Sequence, residues 1–218
     1  SSTTSSLYIT STLSVPDLDM ISLGVATVLF CTMDKDPRAL EKCPPEFLAA
    51  MELFDQATYR VDGAPPVVPS VPDIPAIFKY VKSIFDLAEF TPECNVLSLV
   101  YINRLLAFTK MPLTASNWRM MVLSALLLAQ KVWDDRCLAN VDFPVIWTIV
   151  VPDEAHRTTF DLKAVNKMER RFLELLGYNV TVSASLYARY YFELRSLAQE
   201  NKKDVPIEPL DVKAVRVL

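Results

Sequence analysis

Glycine occurs only three times in 218 residues, at Gly24, Gly63 and Gly177, and no other feature limits the folds open to this chain so strongly. Sheets joined by tight hairpins, and loops that cradle phosphate on bare backbone amides, use glycine freely because it enters the left-handed region without a steric penalty. Helices do not need it. Apolar residues make up 51% of the chain, enough for a sizeable core, so disorder is not the default. The expectation is an all-α fold.

Hydrophobic periodicity divides the chain. Residues 1–15 are rich in Ser and Thr, uncharged, and alternate apolar positions at Leu7, Ile9 and Leu13, which reads as an extended arm. Pro16-Asp17 opens a helix running to about Met33, and Asp36-Pro37 closes it, because the residue before proline is pushed out of the helical region. Glu46 to Tyr59 reads as a second, short helix. Five of the fifteen prolines then fall between Pro65 and Pro75, a stiff linker and the main boundary. The reading is residues 1–64 as an N-terminal arm and helices, 65–75 as linker, 76–180 as the central bundle, and 181–218 as a C-terminal helix and tail.

Beyond the linker, Ile77, Tyr80, Val81, Ile84, Phe85 and Ala88 recur at steps of three and four, one face of a helix. Thr91-Pro92-Glu93 supplies an N-cap, a first-turn proline and an acid, and starts a helix carrying Leu97, Val100, Tyr101, Leu105 and Phe108. Val96, Leu99 and Ile102 cover another of its sides. This helix and the next, Ser116 to about Trp133, are therefore expected at the bundle centre; nothing charged lies between Met120 and Gln130. A short helix near Phe143 to Val150 and a polar loop from Pro152 to Thr159 follow. The fifth helix turns Leu162, Val165, Phe172, Leu175 and Leu176 inward and stops at Gly177. A sixth, Ser185 to Asn201, lines up Leu186, Tyr190, Phe192, Leu194 and Leu197, with Tyr187 and Tyr191 beside them.

Several function classes drop out. A net charge of −4 without any Lys/Arg-rich run disfavours nucleic acid as a partner. The single histidine, in Asp153-Glu154-Ala155-His156, is too little for a metal site or a nucleophile-histidine pair, and no glycine-rich loop holds a nucleotide; neither catalysis nor a cofactor is expected. Four cysteines occur without a Cys-x-x-Cys pair; Cys31 and Cys94, in apolar segments, read as buried reduced thiols of an intracellular protein. The longest uncharged run, Met20 to Met33, has 14 residues, short of the roughly 20 a membrane span needs. The chain opens on Ser1 rather than methionine, so a trimmed N-terminus is expected.

Local motifs add a resemblance. Tyr101-Ile102-Asn103-Arg104-Leu105-Leu106, Leu127-Leu128-Ala129-Gln130-Lys131, and Met168-Glu169-Arg170-Arg171-Phe172-Leu173-Glu174-Leu175-Leu176 with Tyr178-Asn179 resemble the second, third and fifth helices of the cyclin box. Asn117-Trp118, Lys131-Val132-Trp133-Asp134-Asp135 and the Tyr187 to Ala198 stretch are most similar to cyclin Y and its relatives. The resemblance implies a five-helix cyclin-box bundle with additional N- and C-terminal helices. It implies a non-catalytic regulatory subunit that binds and activates a cyclin-dependent protein kinase, of the PFTAIRE or PCTAIRE type.

By the same resemblance Lys131 and Glu169 grip the kinase backbone before its regulatory helix. A lysine offers three charged donors and a glutamate two acceptor oxygens. Val132, Arg170, Leu173 and Tyr178 complete the implied kinase-binding set. An isolated lysine and glutamate would read as a snorkelling side chain and a surface charge; the motif context reverses that reading. One departure stands out: many cyclins pair an arginine of helix one with an aspartate of helix two, whereas here the position is Asn103 and no arginine lies between Val61 and Asn103. Losing both charges strands neither. A cyclin-box adaptor that binds other proteins without activating a kinase is the alternative. A 14-3-3-type partner stays open, membrane association would run only through residues before Ser1, and the expected compartment is the cytoplasm, with the plasma membrane and the nucleus left open.

Overall fold

The computed structural model describes residues 17–36, 38–64, 69–152 and 158–201. Outside them lie the 1–15 arm, Pro37, the start of the proline linker, Asp153 to His156, and the tail after Asn201. Among the described residues the architecture is helical, without strands; one isolated bridge joins Arg60 to Thr158.

The first helix, α1 (Leu18–Thr32), starts where the Asp17 carboxylate accepts from the Met20 amide at 3.1 Å. It is buried continuously from Ile21 to Thr27, a core helix; no helix among the described residues is long and apolar enough to cross a membrane. The Glu46 to Tyr59 segment is not one helix. A 3-10 turn (Pro45–Phe47) leads into α2 (Leu48–Phe54), which breaks at Asp55 before a second 3-10 turn. The cause is local: the Asp55 carboxylate accepts from the Ala57 amide and caps a new turn in place of continuing the old one.

The next five helices form the bundle: α3 (Ile74–Ala88), α4 (Pro92–Thr109), α5 (Trp118–Trp133), α6 (Phe143–Val150) and α7 (Leu162–Leu175). Asp73 caps α3 through the Ala76 amide, which places Pro75, the last proline of the expected linker, inside the first helical turn. α4 and α5 are buried on nearly every side and pack extensively on each other, as their all-round apolar sequences require. One inward assignment is corrected: Leu162 is exposed in the first turn of α7. Phe108, at the end of α4, is exposed too, its ring meeting Phe47 edge-on with centroids 6.4 Å apart. Val165, Phe172, Leu175 and Leu176 are buried, and Gly177 stops α7 with φ of +58°.

The last helix, α8 (Ala184–Asn201), lies against α1. Their crossing is so close that a Cβ on Gly24 would sit 2.5 Å from the Leu194 carbonyl oxygen. That contact dictates which face of α8 turns inward: Tyr191, Leu194 and Ala198 are buried, whereas Phe192, expected inward, is exposed. Asn103 donates to the Tyr190 hydroxyl at 3.2 Å, tying α4 to α8. Both flanking helices share the core of the bundle. All four cysteines are free; Cys94 and Cys43 are buried, but Cys31, expected inside, is exposed on the last turn of α1, beyond the Ile21 to Thr27 stretch that is buried throughout.

Candidate protein-interaction site

α5 carries the chain through the core and delivers it abruptly to the surface: Gln130 is fully buried, while Lys131, Val132 and Trp133 are exposed. Three tethers fix this exit. The helix ends at Asp134, whose carboxylate accepts from the Thr91 hydroxyl at 2.6 Å. Thr91 therefore does not cap α4 with its side chain, as its position suggests, but holds α5. Behind it the Gln130 amide reads the backbone of Leu138 in both directions, accepting from its N–H at 2.8 Å and donating to its C=O at 3.1 Å. This folds the loop back onto the helix end. On the third side the Trp133 indole stacks on Tyr187 of α8, nearly parallel with centroids 6.2 Å apart, and Tyr187 stacks in turn on Tyr191. The tyrosine stripe of α8 thus packs on the bundle, and burial pushes the Tyr187 phenol well above its usual range.

The folded-back loop brings a 3-10 turn (Asn140–Asp142) beside α7, and around it the two charged residues meet. Lys131 Nζ lies 2.6 Å from Glu169 Oε1, joining positions 38 residues apart. Asn140 Nδ2 donates to the other oxygen, Glu169 Oε2, at 2.7 Å, and to Asn166 Oδ1 at 2.6 Å. Asn140 Oδ1 is buried without a partner. The lysine and glutamate side chains retain 31% and 20% accessibility, so the pair is shielded yet reachable. Such a pair contributes only about 1 kcal/mol to folding. Its chemistry faces outward: Lys131 keeps two unused donors and each Glu169 oxygen a further lone pair, enough to engage both a carbonyl and an amide of a partner backbone.

The other implied residues are placed as follows. Leu173 is half-buried one turn beyond Glu169, and Val132 is exposed next to Lys131. Tyr178 follows α7 with its ring 66% exposed and its backbone in the left-handed region at φ +61°, a conformation that costs a non-glycine residue about 1 kcal/mol. Arg170 is also exposed, but lines a groove between α2 and α7. Asn140 and Asn166 are not singled out by sequence; Thr91 reads there only as a helix cap and Gln130 only as part of a helix-end motif. No motif distinguishes an asparagine that reaches a glutamate 29 residues away from one that caps its own turn. Among the described residues no group of three or more His, Cys, Asp or Glu side chains could hold a metal ion.

The bundle thus carries a polar clasp at the exit of α5, built from Lys131, Glu169 and Asn140. Residues 75–181, from the start of α3 to just before α8, match the family model of the cyclin N-terminal domain. No solved structure matches the chain.

Proposed function

We propose that this chain is a cyclin-type regulatory subunit that binds a cyclin-dependent protein kinase and activates it by favouring the kinase's active conformation. The observation that carries the proposal is the Lys131–Glu169 clasp: two residues on separate helices, held by Asn140 and flanked by exposed Val132 and Tyr178. The chain contributes no chemistry; it acts by binding one kinase conformation more tightly than the other. Moving a kinase from about 1% to about 99% active takes a preference of about 5.5 kcal/mol, within reach of an interface with a desolvated centre. Similarity of the Lys131 to Asp135 and Tyr187 to Ala198 stretches to cyclin Y points to a kinase of the PFTAIRE or PCTAIRE type. The unpaired thiols of Cys31 and Cys137 at the surface fit a reducing, intracellular setting.

The test is a pull-down from cell lysate with the wild-type chain and with Glu169→Lys. The expected outcome is a kinase recovered by the wild type and lost with the variant; recovery by both, or by neither, refutes the site. Phosphotransfer in the eluate separates an activator from a cyclin-box adaptor.

A further inference from the structure

An adjoining flank of α7 presents a second surface. Lys163, Lys167 and Arg170 fall at steps of four and three along one side of the helix, together with Glu174, and all line a groove of about 960 Å³ between α7 and α2. Asp161 and Glu174 stand at its two ends, and Arg171 is drawn to Glu174 at 3.0 Å. Lys163, Lys167 and Arg170 make no salt bridge among the described residues. Three uncompensated cations in one groove are notable on a chain of net charge −4, because a solvated helix face ordinarily intersperses both signs. The other wall and floor are apolar: Leu53 and Ala49, four apart on α2, with Leu162 at the mouth.

We infer that this groove docks an extended acidic peptide segment of a protein partner. Along a helix, Lys163 to Lys167 advances about 6 Å and Lys167 to Arg170 about 4.5 Å. In an extended strand, side chains on one face repeat at about 6.7 Å and those between them point the other way. A segment alternating acidic and apolar residues therefore turns its carboxylates to α7 and its apolar side chains to Leu53 and Ala49. The end carboxylates of Asp161 and Glu174 repel a fourth acid and limit the acidic run to about three positions. A bilayer surface cannot enter a concavity lined on both sides, and a nucleic acid would meet the chain's overall negative field. Asn166 of the clasp and Arg170 of the implied kinase-binding set also line the groove, but Lys163 and Lys167 take no part in the Lys131–Glu169 clasp, so variants at these two lysines test the groove apart.

The probe is a fluorescein-labelled peptide of alternating Glu and Leu, titrated with the full chain and followed by anisotropy. Binding is expected, weakening as salt rises, and falling about tenfold or more in Lys163→Glu/Lys167→Glu, whose helix content by circular dichroism matches the wild type. A milder pair, Lys163→Gln/Lys167→Gln, covers the case in which charge reversal unfolds α7, and is expected to lose a smaller share of the same affinity. Glu169→Lys should bind the probe as the wild type does. The inference is overturned if the acidic probe does not bind, if the Gln pair binds it unchanged, or if a Lys/Leu peptide binds equally well. It is also overturned if light scattering finds a dimer that the charge-reversed chain cannot form, since the groove's occupant would then be a second copy.

Discussion

Replacing Asn140 with alanine separates the role of the clasp in folding from its role in binding. The substitution removes one hydrogen bond to a charged acceptor, Glu169, worth about 1.5–3 kcal/mol, and one to neutral Asn166, worth about 0.5–1.5 kcal/mol. It also removes the buried Oδ1 that has no partner, whose desolvation cost of about 1–3 kcal/mol is recovered. The two partly cancel, so the stability change should stay within about 2 kcal/mol, and the melting temperature within about 8 °C for a chain of this size. Binding should respond differently. Without Asn140 the Glu169 carboxylate is held by Lys131 alone, and a partner must restore part of the roughly 2 kcal/mol of rotamer freedom a glutamate regains. About 1 kcal/mol of that translates into roughly fivefold weaker affinity for the kinase recovered by the wild-type chain. Asn140→Asp should do worse, since it sets a second carboxylate against Glu169, and its defect should shrink in high salt. Calorimetric titration of the kinase beside a thermal melt decides the matter. Unchanged affinity in a folded Asn140→Ala chain, or a loss of affinity that merely tracks a large fall in melting temperature, would refute a positioning role.

Three further outcomes follow from the geometry. Gly24→Ala, which in an ordinary helix would stabilise by up to about 1 kcal/mol, should here destabilise by about 1–3 kcal/mol and lower the melting temperature, because the new methyl meets the Leu194 backbone, which cannot turn aside; a raised melting temperature would show that α1 and α8 are not in such close contact. Alkylation of the native chain with iodoacetamide should label Cys31 and Cys137 and spare Cys94 and Cys43, whose thiols burial pushes up and out of the reactive range; mass spectrometry of the tryptic peptides reads this directly. Tyr178→Gly should relieve the left-handed strain and raise stability by up to about 1 kcal/mol in urea, yet weaken kinase binding as the exposed ring is lost; weaker folding with unchanged binding would contradict both halves.

Much of the bundle is legible in the sequence because its helices are long and periodic or apolar throughout. The helix start at Asp17 and the stop at Gly177 fall where residue type places them, whereas the Asp73 cap lies inside what reads as linker. The Glu46 to Tyr59 break has a local cause at Asp55, but two other misreadings turn on a neighbour distant in sequence. Phe192 lies in an apolar stripe of α8 that is real, but the approach of Gly24 selects an adjacent stripe. Thr91 has the residue type of a helix cap and spends its hydroxyl on Asp134, 43 positions later. For the site, Lys131 and Glu169 were found only through their resemblance to cyclin motifs; their spacing alone does not predict a 2.6 Å contact. Asn140 lay beyond even that, since no motif marks it.

The tethers at the exit of α5 connect the clasp to parts of the chain that the cyclin-domain match does not include. Trp133 is two residues from Lys131 and stacks on Tyr187, and that ring belongs to α8, which is seated on α1 through the Gly24–Leu194 approach. Asn95 of α4 donates to Ser22 of α1 at 2.9 Å inside the core, so α1 is locked to the bundle from its other side as well. Shifting α8 therefore cannot leave the clasp untouched: the stack on Trp133 would open first, leaving Asp134–Thr91 and Gln130–Leu138 to hold Lys131 in place. The flanking helices, of which sequence alone sets α1 apart behind a proline linker, act as the bundle's outer wall, and α8 as one of the three supports of the α5 exit that carries Lys131.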